Sequence, residues 1–121
     1  MPDTFPTIIL YGIPNCDQVK KARRWLEASN VDYRFHDLRR DGINTTQIER
    51  WLRTHTWNTL VNSRGTTWRQ LDPESRPADR NSAILTLLAH PTLLKRPVLE
   101  AGATVLVGFS ENEYERHLPP V

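Results

Sequence analysis

Cys16 stands in "YGIPNCDQVKKARRWL", and it is the only cysteine in the chain. Apolar strand-like residues precede it and a helical pattern follows, so the thiol sits on the hinge between the two. Backbone N–H groups at a helix start are unpaired, and the helix dipole is positive there. Both favour the sulfur anion, which is the nucleophilic form. Pro14 sets the turn into the helix, Asn15 adjoins the thiol as a substrate-binding candidate, and Lys20 adds positive charge one turn on. Asp17 complements the dipole while opposing the sulfur anion. A buried, inert cysteine packed behind a strand is the competing interpretation. The second cysteine of a Cys-x-x-Cys pair is absent, because Val19 takes its place. A redox cycle at Cys16 therefore borrows its resolving thiol from glutathione, a glutaredoxin-like protein or a second subunit.

Two arginines could complement such a thiol. Arg64 lies in "NSRGT", a loop from which a guanidinium could reach an anion, and Arg96 precedes Pro97 just before a strand. A bidentate guanidinium suits an oxyanion or a carboxylate of glutathione. Each is otherwise an ordinary surface arginine. His36, His55, His90 and His117 lack metal-ligand spacing, so no metal site is expected. No glycine-rich phosphate loop or Ser/His/Asp arrangement occurs. Trp51, Trp57 and Trp68 belong to no aromatic and basic RNA-binding module and are expected as core or loop anchors.

The elements that must position these groups follow from periodicity. "TIILYG" is a strand buried on both faces. Val19, Ala22 and Leu26 recur at helical spacing over residues 16–29, and Asn30 stops that helix. "VDYRFHDL" alternates as a second strand, and Asp41-Gly42 turns the chain. Thr45 or Thr46 caps a helix with Ile48, Trp51 and Leu52, and residues 57–80 are loop-like. "NSAILTLLAHP" is a helix capped by Asn81 or Ser82 and ended by Pro91. "RPVLEAGATVLVGF" is a hairpin turning at Gly102, and "SENEYERHL" is a last helix opened by a capping box of Ser110 and Glu113. Periodicity alone gives an α/β class. The element order matches a thioredoxin-like domain with a helical insertion between its βαβ and ββα halves.

At 121 residues the chain fits a single domain, 1–121, with the helical insert at about 43–92. A net charge of +2 is too small to argue for direct nucleic-acid binding. No apolar run approaches the ~20 residues that span a bilayer. "MPDTFPTIIL" has no positive region before its apolar stretch, and Pro119-Pro120 marks a tail. With one cysteine and no export signal, the expected location is the cytoplasm.

"LYGIPNCDQVKKARRWLEASNVDYRFHDLRRDG", followed by "LVNSRGTTWRQL", "HPTLLKRPVLE" and "VLVGFSENEY", resembles the ArsC/Spx family over nearly the whole chain, and within it the YffB-like members. The resemblance implies a thioredoxin-like fold with a helical insertion and a nucleophilic cysteine at Cys16. It implies that Arg64 is the family's first arginine and that Arg96-Pro97 is its Arg-Pro motif, joined by a cis peptide. The implied activity is a glutathione-dependent thiol reductase related to arsenate reductases. No cofactor is bound, glutathione is co-substrate, and a small oxyanion or a disulfide is substrate. Arsenate reductases coupled to glutathione or glutaredoxin carry a further arginine after the last strand, where this chain has Gly108. The Spx branch implies an alternative, a regulator that binds RNA polymerase without turnover.

Overall fold

The computed structural model describes residues 7–118. The readings for the extreme N-terminus and for Pro119-Pro120 lie outside the described residues. The chain forms two compact units, one comprising the stretches up to Asp37 and from Arg96 onward, the other Leu38–Lys95.

The first unit is built on a four-stranded sheet of order β2-β1-β3-β4. β1 (Ile8–Gly12) is central, parallel to β2 (Arg34–Asp37) and antiparallel to β3 (Val98–Ala101). β3 continues into β4 (Thr104–Val107) through a turn in which Gly102 takes φ 62°. Between β1 and β2 runs α1 (Asp17–Ala28), and after β4 comes α7 (Glu111–His117). Strand alternation sends Ile8, Leu10, Leu99 and Leu106 into one cluster with Val19, Ala22 and Leu26 of α1 and Tyr114 of α7. Leu10, Leu26 and Leu99 are fully sealed, each contributing about 1.5–3 kcal/mol relative to an exposed side chain. A Cβ on Gly12 would meet Val19 Cγ2 at 2.6 Å, so glycine is what lets α1 approach β1 this closely. Helix α1 ends where Asn30 turns to φ 54°, a left-handed value that asparagine tolerates, and Val31 N–H donates back to the Leu26 carbonyl at 2.9 Å.

The second unit holds α2 (Leu38–Asp41), α3 (Thr45–Trp51), α4 (Trp57–Leu60), α5 (Thr66–Gln70) and α6 (Arg80–Ala89), with 3-10 turns at Pro73–Ser75 and Pro91–Leu93. Ile48, Trp51, Leu60, Leu87, Leu93 and Leu94 are buried within it. A Val61↔Leu94 bridge is flanked by Asn62 N–H donating to the Leu93 carbonyl at 2.9 Å and Lys95 N–H donating to the Leu60 carbonyl at 2.6 Å.

Several boundaries differ from the sequence-based expectations, each for a local reason. Residues 57–80 carry two short helices and a 3-10 turn instead of a bare loop; elements of five residues or fewer show no helical period. Asn44, not Thr45 or Thr46, caps α3 through reciprocal bonds with Gln47 at 2.8 and 2.9 Å. Asp79, not Asn81 or Ser82, caps α6, and Ser82 serves as its N3 partner. β2 stops at Asp37 because buried Leu38 begins a helical turn, so helical structure starts before 43 and ends with the 3-10 turn at Leu93, within a unit that extends to Lys95.

Candidate functional site

β1 delivers the chain to the site. Gly12 ends the strand, Ile13 is buried as an anchor, and Pro14 and Asn15 form an exposed turn. Cys16 is the N-cap of α1, with extended backbone (φ −135°, ψ 126°) and its carbonyl accepting the Lys20 N–H at 2.9 Å. Its side chain makes no capping hydrogen bond, so the first-turn amides are not spent on it as they would be on a serine or aspartate cap. The thiol is free and half-buried, and it packs against the edge of the first unit's core. Asp17 and Lys20 are both exposed.

The strand register brings the Arg-Pro motif to the same end of the sheet. Tyr11 pairs with Val98, so continuing the register sets Pro97 opposite Gly12 and Arg96 opposite Ile13. The Arg96–Pro97 peptide is cis. Val98 pairs with Val107, and Gly108 N–H donates to the Pro97 carbonyl at 2.8 Å. Gly12, Pro97 and Gly108 thus form a row across three strands, at the end from which the chain leaves for Cys16. Gly108 has φ 79°, a conformation that an arginine there would adopt only under strain.

Of the anticipated residues, Asn15, Cys16, Arg96 and Pro97 therefore belong to one end of the first unit. Arg64 belongs to the second unit, exposed just before α5. Its N–H donates to Asn62 Oδ1 at 3.1 Å and its carbonyl accepts from Arg69 Nη1 at 2.8 Å, so the backbone is pinned while the guanidinium is in no ion pair among the described residues. No group of three His, Cys, Asp or Glu among the described residues could hold a metal ion.

Sequence reasoning missed one buried polar group. Tyr11 donates its hydroxyl to Glu100 Oε1 at 2.6 Å, and the His36 ring lies 4.7 Å from the Tyr11 ring. Glu100 is the one buried charged residue among those described, 6% exposed, in the middle of β3. Since Leu99 faces the core shared with α1, alternation turns Glu100 to the opposite face of the sheet. The signal was legible in "PVLEAG", where a carboxylate interrupts an apolar strand.

Comparison with known proteins adds to this geometry. The sequence model of the ArsC family matches residues 11–117. The structure of a YFFB protein superposes with a TM-score of 0.89 at 45% identity, covering 93% of this chain and 100% of that one. An arsenate reductase (ArsC) related protein from Brucella melitensis is 43% identical with a TM-score of 0.71, over 92% of this chain and 93% of that one. The global transcriptional regulator Spx of Lactiplantibacillus plantarum is 27% identical over 114 residues, 93% of this chain and 86% of the regulator.

Proposed function

The chain belongs to the ArsC family, and from that premise we propose that it is a glutathione-dependent thiol reductase with Cys16 as nucleophile. The sulfur anion of Cys16 attacks the glutathione sulfur of a mixed disulfide. A Cys16–glutathione disulfide forms, and the substrate sulfur leaves and takes a proton. A glutathione thiolate then attacks the bound glutathione sulfur, releasing glutathione disulfide and restoring the Cys16 anion; where a glutaredoxin-like thiolate attacks instead, the glutathionyl group leaves on that protein as a mixed disulfide. Net, one mixed disulfide and one thiol become one freed substrate thiol and one glutathione disulfide. Arg96 is assigned to an anionic group of the substrate, and Asn15 and Pro97 to its flanks; for Arg64, which belongs to the second unit, the anion-binding role is the one that the family resemblance implies.

The observation that carries this reading is the placement of the only cysteine as the N-cap of α1, with its side chain making no capping bond. Disulfides are favoured over arsenate, since the position of the further arginine of arsenate reductases is a left-handed glycine, Gly108. The reading places the protein in the reducing cytoplasm; no helix among the described residues is long and apolar enough to cross a membrane.

The test is direct. The reduced protein is incubated with glutathione disulfide, small disulfides and arsenate, and its intact mass is measured. A single glutathione adduct on Cys16, with glutathione-dependent turnover that Cys16→Ser abolishes, is the expected result. Undiminished turnover in Cys16→Ser would end the proposal. The similarity to an Spx regulator favours a second reading, a non-catalytic protein that binds RNA polymerase. Enrichment of polymerase on the immobilised protein, without turnover, would select it.

A further inference from the structure

An open groove of about 580 Å³ lies in the first unit between Gln18, Lys21, Arg24 and Trp25 of α1 and the Phe109–Glu111 segment that leads into α7. It falls within the ~300–1,000 Å³ of ligand clefts. It lies open to solvent, though, and would leave a small molecule largely uncovered, whereas such ligands have about 70–90% of their surface buried. An extended chain lying along it needs no such enclosure. The groove's walls are aromatic and held in place. Trp25 and Phe109 both pack edge-on against the fully buried Tyr114 ring, at 5.5 and 4.9 Å between centroids. One ring thus braces both walls, which reduces the ordering needed on binding.

The charges around the groove select the occupant. Lys21 and Arg24 are exposed, one helical turn apart, and neither is in an ion pair or side-chain hydrogen bond among the described residues. Of the carboxylates on α1, Glu27 accepts the Tyr33 hydroxyl at 2.7 Å, and Asp17 lies one turn before Lys21. Arg23, between the two cations, is also occupied, by Tyr33 at 3.0 Å and by the Phe35 ring at 4.2 Å. Lys21 and Arg24 are therefore solvent-facing positive charges beside Trp25, and arginine and tryptophan are enriched at the centres of protein interfaces. On the other side, Glu111 lines the groove, with Glu113 and Glu115 following on α7. A continuous phosphate backbone would meet those carboxylates; a peptide can place its own acids on the α1 side only.

We propose that this groove docks an extended acidic peptide segment of a partner protein. Its carboxylates sit on Lys21 and Arg24, and an aromatic or aliphatic side chain enters between Trp25 and Phe109. The inference goes beyond the reductase reading and does not depend on turnover.

The experiment uses full-length Cys16→Ser protein, which cannot perform the thiol chemistry, so a failure of the reductase reading leaves the result intact. It is presented with an array of short peptides of random sequence. The expected selection is peptides with Asp or Glu beside an aromatic or aliphatic residue, weakened by added salt. The double variant Lys21→Glu/Arg24→Glu should bind them at least about tenfold less well. Both side chains are exposed, and a thermal melt verifies that the variant remains folded. Selection of no peptide, selection of neutral or basic peptides, acidic-peptide binding that the charge reversal leaves unchanged, or displacement of the peptide by a single-stranded oligonucleotide at lower concentration would each overturn the proposal.

Discussion

Tyr114 shows how a single atom can be at odds with its surroundings. The side chain is fully buried, and its hydroxyl has no hydrogen-bond partner among the described residues. Burial pushes its phenol far above the ordinary tyrosine value. A buried hydroxyl without a partner costs about 1–3 kcal/mol, while the ring's edge-on contacts do not need the oxygen. Tyr114→Phe should therefore raise stability by about 1 kcal/mol in denaturant unfolding and keep the aromatic walls of the groove in place. A loss of similar size would mean that the hydroxyl holds an ordered water. The candidate nucleophile was easier to foresee than this group. A lone cysteine between a strand that ends in glycine and an amphipathic helix has one natural position, the N-cap. Glu100 was harder, because an isolated carboxylate in a short strand usually points to water. Here it is buried on the face opposite α1, where it accepts the Tyr11 hydroxyl.

Among the elements, helices with an apolar stripe were legible to within a residue or two; the Ser110 cap of α7 was legible as well, while the caps of α3 and α6 were not. α1 runs Asp17–Ala28 because Val19, Ala22 and Leu26 fix its buried face. For α6 the sequence pattern points to Asn81 or Ser82 as the cap, whereas the structure places the cap at Asp79. Ser82 N–H donates to Asp79 Oδ1 at 2.8 Å while Asp79 N–H donates to Ser82 Oγ at 3.1 Å. The backbone bond from Ser82, then its side-chain bond, hold the Asp79 carboxyl below the usual carboxylate range. A depressed folded value means that the stabilisation is fully present above the unfolded value of about 3.9 and fades as pH falls through the folded one. Asp79→Ala should thus melt at a lower temperature than the wild type at neutral pH, with the difference shrinking once pH drops below about 3.9. Asp79→Ser, an uncharged cap, should show a difference from the wild type that closes over the same range. A deficit of constant size down to acid pH would show that the carboxylate's charge plays no part in capping.

In the molecule as a whole, the topology was legible because β1, α1 and β2 precede the helical segment and the β3-β4 hairpin and α7 follow it. The register adds what periodicity could not supply. Gly12 pairs with Asp37 on one side and Tyr11 with Val98 on the other, so the chain leaves β2 and returns to β3 at the same end of the sheet. A long helical segment can be inserted there without interrupting any strand pairing. In the second unit the sequence offered a handle on α3 and α6 but none on α4 and α5, which are four and five residues long. The same contrast governs local stability. β1 is hydrogen-bonded along both edges and its Leu10 and Tyr11 are sealed, so its amides open only with the sheet. Helices of one turn have almost no cooperative length of their own, and their amides open with the local loop. Hydrogen–deuterium exchange should therefore find Leu10 and Tyr11 among the slowest amides and those of α5 faster by orders of magnitude. Equal protection in α5 and β1 would mean that the second unit opens only when the sheet itself unfolds.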